Sequence, residues 1–185
     1  MRLMRNLVLA GAVALACGFS GQSTEAQSVF TITSSSFKDG ERLPTKMAGN
    51  YKQNPDCVGE NVSPALSWSN PPAGTRSYAL IMYDPEAGVV HWVAYGIPAS
   101  VTGFAEGETS KESDHYVGGK STMNLAHYFG PCTPPGPPHH YTFTLIATDL
   151  EPKALRAGMT RDELMKALDG HAKGATGIIA IFSKQ

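Results

Sequence analysis

Side chains that exchange protons stand at the ends of apolar, strand-like stretches of this sequence. Asp84 closes RSYALIMYD (76–84), and His91 opens HWVAYGIPA (91–99) after the turn PEAGVV. Two strands joined by a short turn form an antiparallel hairpin, so we expect Asp84 and His91 to stand opposite each other at its mouth. A carboxylate beside an imidazole can bind a ligand that shares protons.

A second pair of such side chains follows a proline-rich loop. GPCTPPGPPHH (130–140) leads into YTFTLIATD (141–149), and His139 has the same strand parity as Tyr141 and Phe143. These side chains should therefore project to one face of the strand. Proline fixes φ and supplies no N–H, so the loop is stiff before any ligand binds, which lowers the ordering cost of binding. Imidazoles, a phenol and a carboxylate suit a proton-sharing anion such as a phosphate monoester.

The elements that must position these residues are mainly strands. VFTITSSSF (29–37) alternates and predicts a first strand, whereas TGIIAIFSK (176–184) predicts a last apolar strand. The two-residue period of 141–149 predicts one buried face and one half-solvated face. Together these stretches predict a mainly β fold with antiparallel strands.

One helix is expected near the end of the chain. TRDELMKALDGHAK (160–173) begins with Thr160 and has Glu163 three residues later, the spacing of a capping box. Leu164 and Leu168 lie on one apolar stripe. We expect this helix to lie on an edge or end of the β-domain.

The N-terminus has the pattern of a secretory signal peptide. Two arginines precede the uncharged run LVLAGAVALACGF (7–19), and a small-residue cleavage site follows at Ala26. The alternatives are a membrane anchor, although about 20 apolar residues are needed to span a bilayer, and a lipoprotein cleaved before Cys17. The sequence thus predicts a signal peptide at 1–26, one domain at 27–185, and a secreted or periplasmic location without a stable membrane span.

Composition argues against nucleic acid as a partner. Residues 1–26 hold two basic residues and one acidic residue, so their removal changes the formal net charge from −1 to −2. Nothing in a nearly neutral, slightly acidic balance indicates binding to nucleic acid or to an anionic membrane surface.

The mature chain keeps an even pair of cysteines. Cys17 lies in the predicted signal peptide, which leaves Cys57 and Cys132. In an oxidising compartment a disulfide is the expectation, with two buried free thiols as the alternative. A metal site is not expected, because the sequence has no C-x-x-C spacing.

Three motifs, in this order along the chain, carry a family resemblance. NVSPALSW (61–68), DPEA…HW (84–92) and GPCTPPGPPHHY (130–141) resemble the phosphatidylethanolamine-binding protein family, in particular its bacterial Raf kinase inhibitor-like branch. The resemblance spans 30–182. It implies an antiparallel β-sandwich-like fold with a C-terminal helix and a final strand, and a small anion-binding pocket beside the central sheet.

The resemblance also implies which residues form that pocket. Motif positions carry over to a predicted ligand-binding set of Asp84, Glu86, His91, Gly130, Pro131, His139 and Tyr141. Glu86 stands where the family usually has a second aspartate, and His140 where it commonly has arginine. Because the segments around the two cysteines flank the same pocket in the bacterial branch, the resemblance implies a Cys57–Cys132 bond.

Three classes of function remain open. The resemblance implies a binding protein for a small anionic or phosphorylated ligand, which regulates or inhibits a protein partner. The alternatives are a hydrolase or phosphotransfer enzyme that uses the Asp/His set as acid and base, and a structural exported protein. The sequence has no G-x-S-x-G, H-E-x-x-H or dinucleotide-binding glycine motif, so we predict no catalytic residue, cofactor or metal.

Overall fold

Antiparallel strands form most of the fold, with a single α-helix near the C-terminus in the part described. The computed structural model describes residues 28–185, so the predicted signal peptide at 1–26 lies outside the described residues. The elements are β1 (Thr31–Thr33), β2 (Leu66–Ser69), β3 (Ser77–Asp84), β4 (Val89–Pro98), β5 (Gly103–Phe104), β6 (Val117–Gly118), β7 (His139–Thr148), α1 (Arg161–Ala167) and β8 (Ala172–Phe182). Among these residues no helix has the length and apolar character needed to cross a membrane.

The strands are arranged in two sheets. A five-stranded sheet has the order β6-β4-β3-β7-β8, and a three-stranded sheet has the order β1-β2-β5. β3 lies at the centre of the larger sheet, and all but one of its residues are buried. The prediction of a mainly β, antiparallel fold with a C-terminal helix and a final strand is confirmed.

The main core lies between the two sheets. Ile32 and Trp68 from the small sheet pack into the same buried cluster as Leu80, Trp92 and Phe143 from the large one. Trp68 also donates from its indole nitrogen to the carbonyl of Val101 at 2.9 Å. Burial of large apolar side chains from both layers supplies the main force that holds the sheets together.

A second core covers the opposite face of the large sheet. Ile81, Val93 and Ile146 pack there against Leu164 and Leu168 of the helical segment. The helix therefore covers a face of the sheet, and the expectation that it lies on an edge or end is wrong. The same packing buries the distal half of β7 on both faces, so the predicted half-solvated face exists only near the beginning of that strand.

The capping box of the helix forms as predicted, but the helix is shorter than its sequence pattern. The Thr160 hydroxyl accepts from the Glu163 amide, and the Glu163 carboxylate accepts from the Thr160 amide. The helix ends at Ala167, since Gly170 with φ +76° turns the chain into β8. The first strand is likewise shorter than predicted, because β1 spans only Thr31–Thr33.

An extra residue interrupts the pairing of β3 with β4. Asp84 pairs with Val89 at the turn, and the register then shifts so that His91 stands between the paired residues Val90 and Trp92. The expectation that Asp84 and His91 stand opposite each other is therefore wrong. Such a β-bulge re-aims a side chain, and bulges often occur next to functional sites.

Candidate functional site

Four of the predicted site residues line one cavity beside the large sheet. Asp84 comes from the end of β3, His91 from β4, and His139 and Tyr141 from β7. The cavity has a volume of about 240 Å³. Asp84, His91 and Tyr141 are almost fully buried, and His139 keeps part of its ring in contact with solvent.

Asp84 fixes the orientation of His139. Its Oδ2 accepts a hydrogen bond from Nδ1 of His139 at 2.8 Å. Its Oδ1 accepts from the amide of Ala87 in the β3–β4 turn at 3.0 Å. Because the carboxylate holds the proton on Nδ1, the opposite ring nitrogen, Nε2, remains for a ligand.

His91 is held by a backbone carbonyl rather than by a carboxylate. Its Nδ1 donates to the carbonyl oxygen of Phe129 at 2.8 Å, the ring stacks on Phe129, and its edge meets Tyr141 at a centroid distance of 5.2 Å. Burial lowers the pKa of His91, although the Phe129 carbonyl and the Asp84 charge act in the opposite direction. The neutral ring carries its proton on Nδ1, so Nε2 can only accept a hydrogen bond.

The β-bulge explains how His91 reaches this cavity. Trp92 belongs to the core cluster between the sheets, the same cluster that contains Tyr141. In a regular strand the adjacent residue His91 would point to the opposite face. Since His91 contacts Tyr141 as well, the bulge directs both neighbours to one side.

Tyr141 closes the inner side of the cavity. Its hydroxyl group forms a hydrogen bond with the hydroxyl of Thr133, which belongs to the proline-rich loop. Burial raises the pKa of the Tyr141 phenol above its ordinary value. The phenol is therefore neutral at physiological pH, and it ties β7 to the loop.

The remaining predicted site residues lie outside the cavity lining. Gly130 donates from its amide to Oδ1 of Asn61 at 2.8 Å, and the carbonyl of Pro131 accepts from the amide of Gly49 at 2.8 Å. Both residues thus build the wall behind the cavity. Glu86 instead pairs with the exposed His140, with 2.6 Å between Oε1 and Nδ1. Hydrogen bonding from His140 lowers the pKa of Glu86 to about 2.

Sequence reasoning missed the role of Asn61. Its side-chain Nδ2 donates to the carbonyl of Tyr128 at 3.1 Å, while its Oδ1 accepts from Gly130. Asn61 is buried and has φ +59°, a conformation that asparagine tolerates better than most residues. The side chain therefore clamps both peptides that flank Phe129, whose carbonyl holds His91. The available signal was the N-V-S-P motif, which indicates an ordered loop but not its contact.

A disulfide forms another part of the wall. Cys57 and Cys132 are bonded, with 4.3 Å between their Cα atoms, and both line the cavity. The bond joins the long N-terminal loop to the proline-rich loop across 75 residues of sequence. The disulfide expected from the even cysteine pair is therefore present.

The cavity combines apolar walls with few charges. Val89, Phe129 and Pro134 supply apolar surface, and the partly exposed Tyr51 and Met123 stand at its lining as well. Within residues 28–185 no lysine or arginine lines the cavity. In the same range no three His, Cys, Asp or Glu side chains are grouped closely enough to hold a metal ion.

The two packed sheets and the cavity define an antiparallel β-protein with a small, mainly apolar pocket at the large sheet, into which Asp and His side chains converge. Residues 33–183 match the family model described as phosphatidylethanolamine-binding protein. The chain therefore belongs to the phosphatidylethanolamine-binding protein family, and the resemblance stated from the three motifs is confirmed.

Several bacterial relatives support this assignment. YbcL of Escherichia coli is 35% identical over 159 residues, which cover 80% of this chain and 81% of YbcL. LppC of Mycobacterium tuberculosis, named as a candidate lipoprotein, is 36% identical over 163 residues, which cover 82% of this chain and 71% of LppC.

Solved structures agree with the fold. The crystal structure of Escherichia coli YbcL, described as a new member of the mammalian PEBP family, has a TM-score of 0.75 and 28% identity. The match covers 86% of this chain and 100% of that chain. CT736 of Chlamydia trachomatis has a TM-score of 0.71 and 29% identity, with 84% and 98% coverage.

Proposed function

We propose that this protein binds a small anionic or phosphorylated ligand in the pocket formed by Asp84, His91, His139 and Tyr141. The observation that carries the proposal is the convergence of two imidazoles and a buried carboxylate on one cavity. At about 240 Å³ the cavity is smaller than pockets for drug-sized ligands, which start at about 300 Å³. The volume suits a compact headgroup rather than a whole lipid.

The roles of the side chains follow from their hydrogen bonds. His139, oriented by Asp84, offers Nε2 to the ligand and becomes a charged donor when it is protonated. Tyr141 and Thr133 share a hydroxyl hydrogen bond that either group can rearrange toward an incoming oxygen. The stiff proline-rich wall and the disulfide hold the pocket in place before binding, which lowers the ordering cost.

We also propose that the protein is exported to the periplasm or secreted. The signal-like sequence at 1–26, the Cys57–Cys132 disulfide and the lipoprotein-type name of LppC support export. N-terminal sequencing of the protein recovered from a periplasmic or culture fraction should begin at residue 27. A lipid-modified N-terminus at Cys17 would instead favour the lipoprotein alternative.

Inhibition of a partner protein is a further part of the proposal, and it rests on the resemblance to the Raf kinase inhibitor-like branch. In this proposal the partner protein contacts the surface around the pocket when a ligand is bound there.

An NMR titration tests the pocket. Inorganic phosphate and O-phosphorylethanolamine should shift the ring resonances of His91 and His139 together. His171 is a matched control, because its Nδ1 contacts Oδ1 of Asp149 at 2.8 Å in an exposed His–Asp pair away from the cavity. Shifts of all three histidines alike, or of none, would contradict a shared site.

The oriented His139 ring also favours a second candidate, a hydrolase or phosphotransfer enzyme. A carboxylate that holds one imidazole nitrogen leaves the other to act as general base or acid. Incubation with p-nitrophenyl phosphate separates the two candidates. Release of nitrophenol that is lost in both His91→Ala and His139→Ala would establish turnover, whereas saturable binding without product would support a binding protein.

A further inference from the structure

The pocket proposed to receive an anion contains mostly hydrogen-bond acceptors at its inner end. Asp84 is a buried carboxylate, and Nε2 of the neutral His91 is a bare acceptor, because Nδ1 donates to Phe129. Lysine and arginine are absent from the lining formed by the described residues. In arginine-based phosphate sites a fixed positive charge balances the charge of the ligand. The lining formed by the described residues offers no such charge.

Hydrogen bonds around the His91 ring fix Nε2 as an acceptor. Asn61 clamps the peptides on both sides of Phe129, and this clamp holds the Phe129 carbonyl against Nδ1 of His91. Nε2, the ring nitrogen that faces away from the carbonyl, has no hydrogen-bond partner among residues 28–185. It is not one of the atoms in that range that are both fully buried and unpartnered, so its surface is not fully enclosed. An oxygen that carries a proton is the group that such an acceptor can bind.

A fully ionised group fits this arrangement poorly. A sulfate ester carries only acceptor oxygens at physiological pH, so it would meet Nε2 of His91 acceptor to acceptor and would lie near the negative charge of Asp84. A phosphate monoester has a second pKa near 6 and is able to carry a proton on one oxygen. That proton can be donated to Nε2 of His91, while the hydroxyl group of Thr133 or Tyr141 donates to another oxygen.

We propose that the pocket selects anionic ligands that carry a proton, such as monoanionic phosphate monoesters and phosphonates, and rejects sulfate esters of the same shape. Nε2 of His91 is the specificity-determining acceptor, and Asp84 adds the negative charge that disfavours a dianion. This inference rests on the proposed function, because it concerns the same pocket. It defines the ligand class by whether the ligand carries a proton, and not by the charge of the ligand alone.

The proposal requires proton uptake on binding above the ligand's second pKa. In that range the free ester is a dianion, so each bound ligand takes up one proton from solvent on an ester oxygen, which then donates to Nε2 of His91. The titratable groups that face His91 are Asp84 of β3 and His139 and Tyr141 of β7. The segment 128–130 presents only a carbonyl and a phenyl ring to it.

Phenyl phosphate and phenyl sulfate form a matched pair of probes for this proposal. Isothermal titration calorimetry at pH 6 should give at least about tenfold tighter binding of the phosphate. Between pH 7 and 8 its dissociation constant should rise about tenfold per pH unit, the dependence expected for uptake of one proton. Titrations in two buffers that differ in ionisation enthalpy count that proton directly.

A glutamine at position 91 tests the acceptor itself. His91→Gln replaces the ring nitrogen, which only accepts, with an amide that can also donate to a sulfate oxygen, so the preference for phosphate over sulfate should fall below about threefold. His171→Gln, in the exposed pair with Asp149, should leave the preference unchanged. Should His91→Gln prove unfolded by circular dichroism, the comparison of the two esters on the wild-type protein still decides the question.

The outcomes separate this inference from the proposed function. Equal affinity for the two esters, or binding without proton uptake at pH 7.5, overturns the inference and leaves the anion pocket in place. Failure of both esters and of inorganic phosphate to bind at any pH overturns the proposed function together with the inference. Tight, proton-coupled binding of phenyl phosphate alone supports both.

Discussion

Two adjacent histidines acquire different environments because strand parity separates them. His139 projects into the pocket and is held by Asp84, whereas His140 projects outward and pairs with Glu86. The side chain of His140 is 53% exposed and that of His139 is 27% exposed. Parity alone therefore assigns the pocket-facing position to His139, and it places the exposed His140–Glu86 pair outside the pocket.

Burial of the neutral His91 makes stability depend on pH. The lowered pKa means that the unfolded chain takes up a proton at this residue before the folded protein does. This contribution is complete above about pH 6.5, the ordinary histidine pKa, and is lost as the pH falls toward the lower folded-state pKa. We expect His91→Gln to flatten the pH dependence of the free energy of unfolding by up to about 1.4 kcal/mol per pH unit.

Urea denaturation of both proteins between pH 5 and 8 checks this prediction. His171→Gln serves as the control, because that histidine is exposed. Identical slopes for the wild type and His91→Gln below pH 6.5 would show that His91 is not buried as a neutral ring.

At the scale of elements, two irregular features form the site on a regular sheet. The β-bulge turns His91 toward the same side as Trp92, and the clamp by Asn61 holds the segment 128–130 that fixes the imidazole. Regular strands supply the rigid frame, since Asp84 ends the central strand β3 and Tyr141 lies in its neighbour β7. The geometry of the site thus depends on a departure from strand pairing and on one loop contact.

Removal of the Asn61 clamp should destabilise the fold and disturb His91. Asn61→Ala leaves the buried carbonyl of Tyr128 and amide of Gly130 without their partner, at a cost of about 1–3 kcal/mol per buried group. We expect the free energy of unfolding to fall by at least this amount and the His91 ring resonances to shift. Urea denaturation and NMR measure the two effects.

A matched control removes the contribution of backbone strain. Asn124 has φ +57°, close to the +59° of Asn61, but it is exposed. Asn124→Ala therefore reports the cost of alanine in a left-handed conformation. If Asn61→Ala costs no more than Asn124→Ala, the clamp contributes little.

At the scale of the whole molecule, two layers and one disulfide connect distant parts of the chain. The large sheet carries a core on each face, one against the small sheet and one against the helix. The Cys57–Cys132 bond adds a covalent link between two loops that hydrogen bonds from Gly49 to Pro131 and from Gly130 to Asn61 also join. Both loops line the pocket, so global stability and the shape of the site are coupled.

Loss of the disulfide should lower stability substantially. In the chain-entropy model a loop of 75 residues corresponds to about 4–5 kcal/mol, an upper value because structure in the unfolded chain reduces it. We expect reductant to lower the urea midpoint of the wild-type protein to that of the Cys57→Ala/Cys132→Ala variant. The double variant should show no response to reductant, and two free thiols in the denatured, unreduced wild type would contradict the bond.

Local patterns in the sequence determined the faces of β7, the position of the helix and the family. The two-residue period of β7 assigned His139 and Tyr141 to one face, the capping box located the helix, and three motifs identified the family. These features depend on residues close together in the chain, where backbone periodicity and side-chain type decide the outcome.

Only the tertiary structure decided how the site is completed. The bulge at His91 arises from the register between two strands, and the Phe129 carbonyl reaches it through a contact 38 residues apart. Asn61 clamps a segment whose Tyr128 is 67 positions along the chain. No local period encodes such contacts, because they depend on how the sheets and loops pack together. For this reason only four of the seven site residues predicted from the sequence line the pocket, and the packed structure determined that His91 presents an acceptor to it.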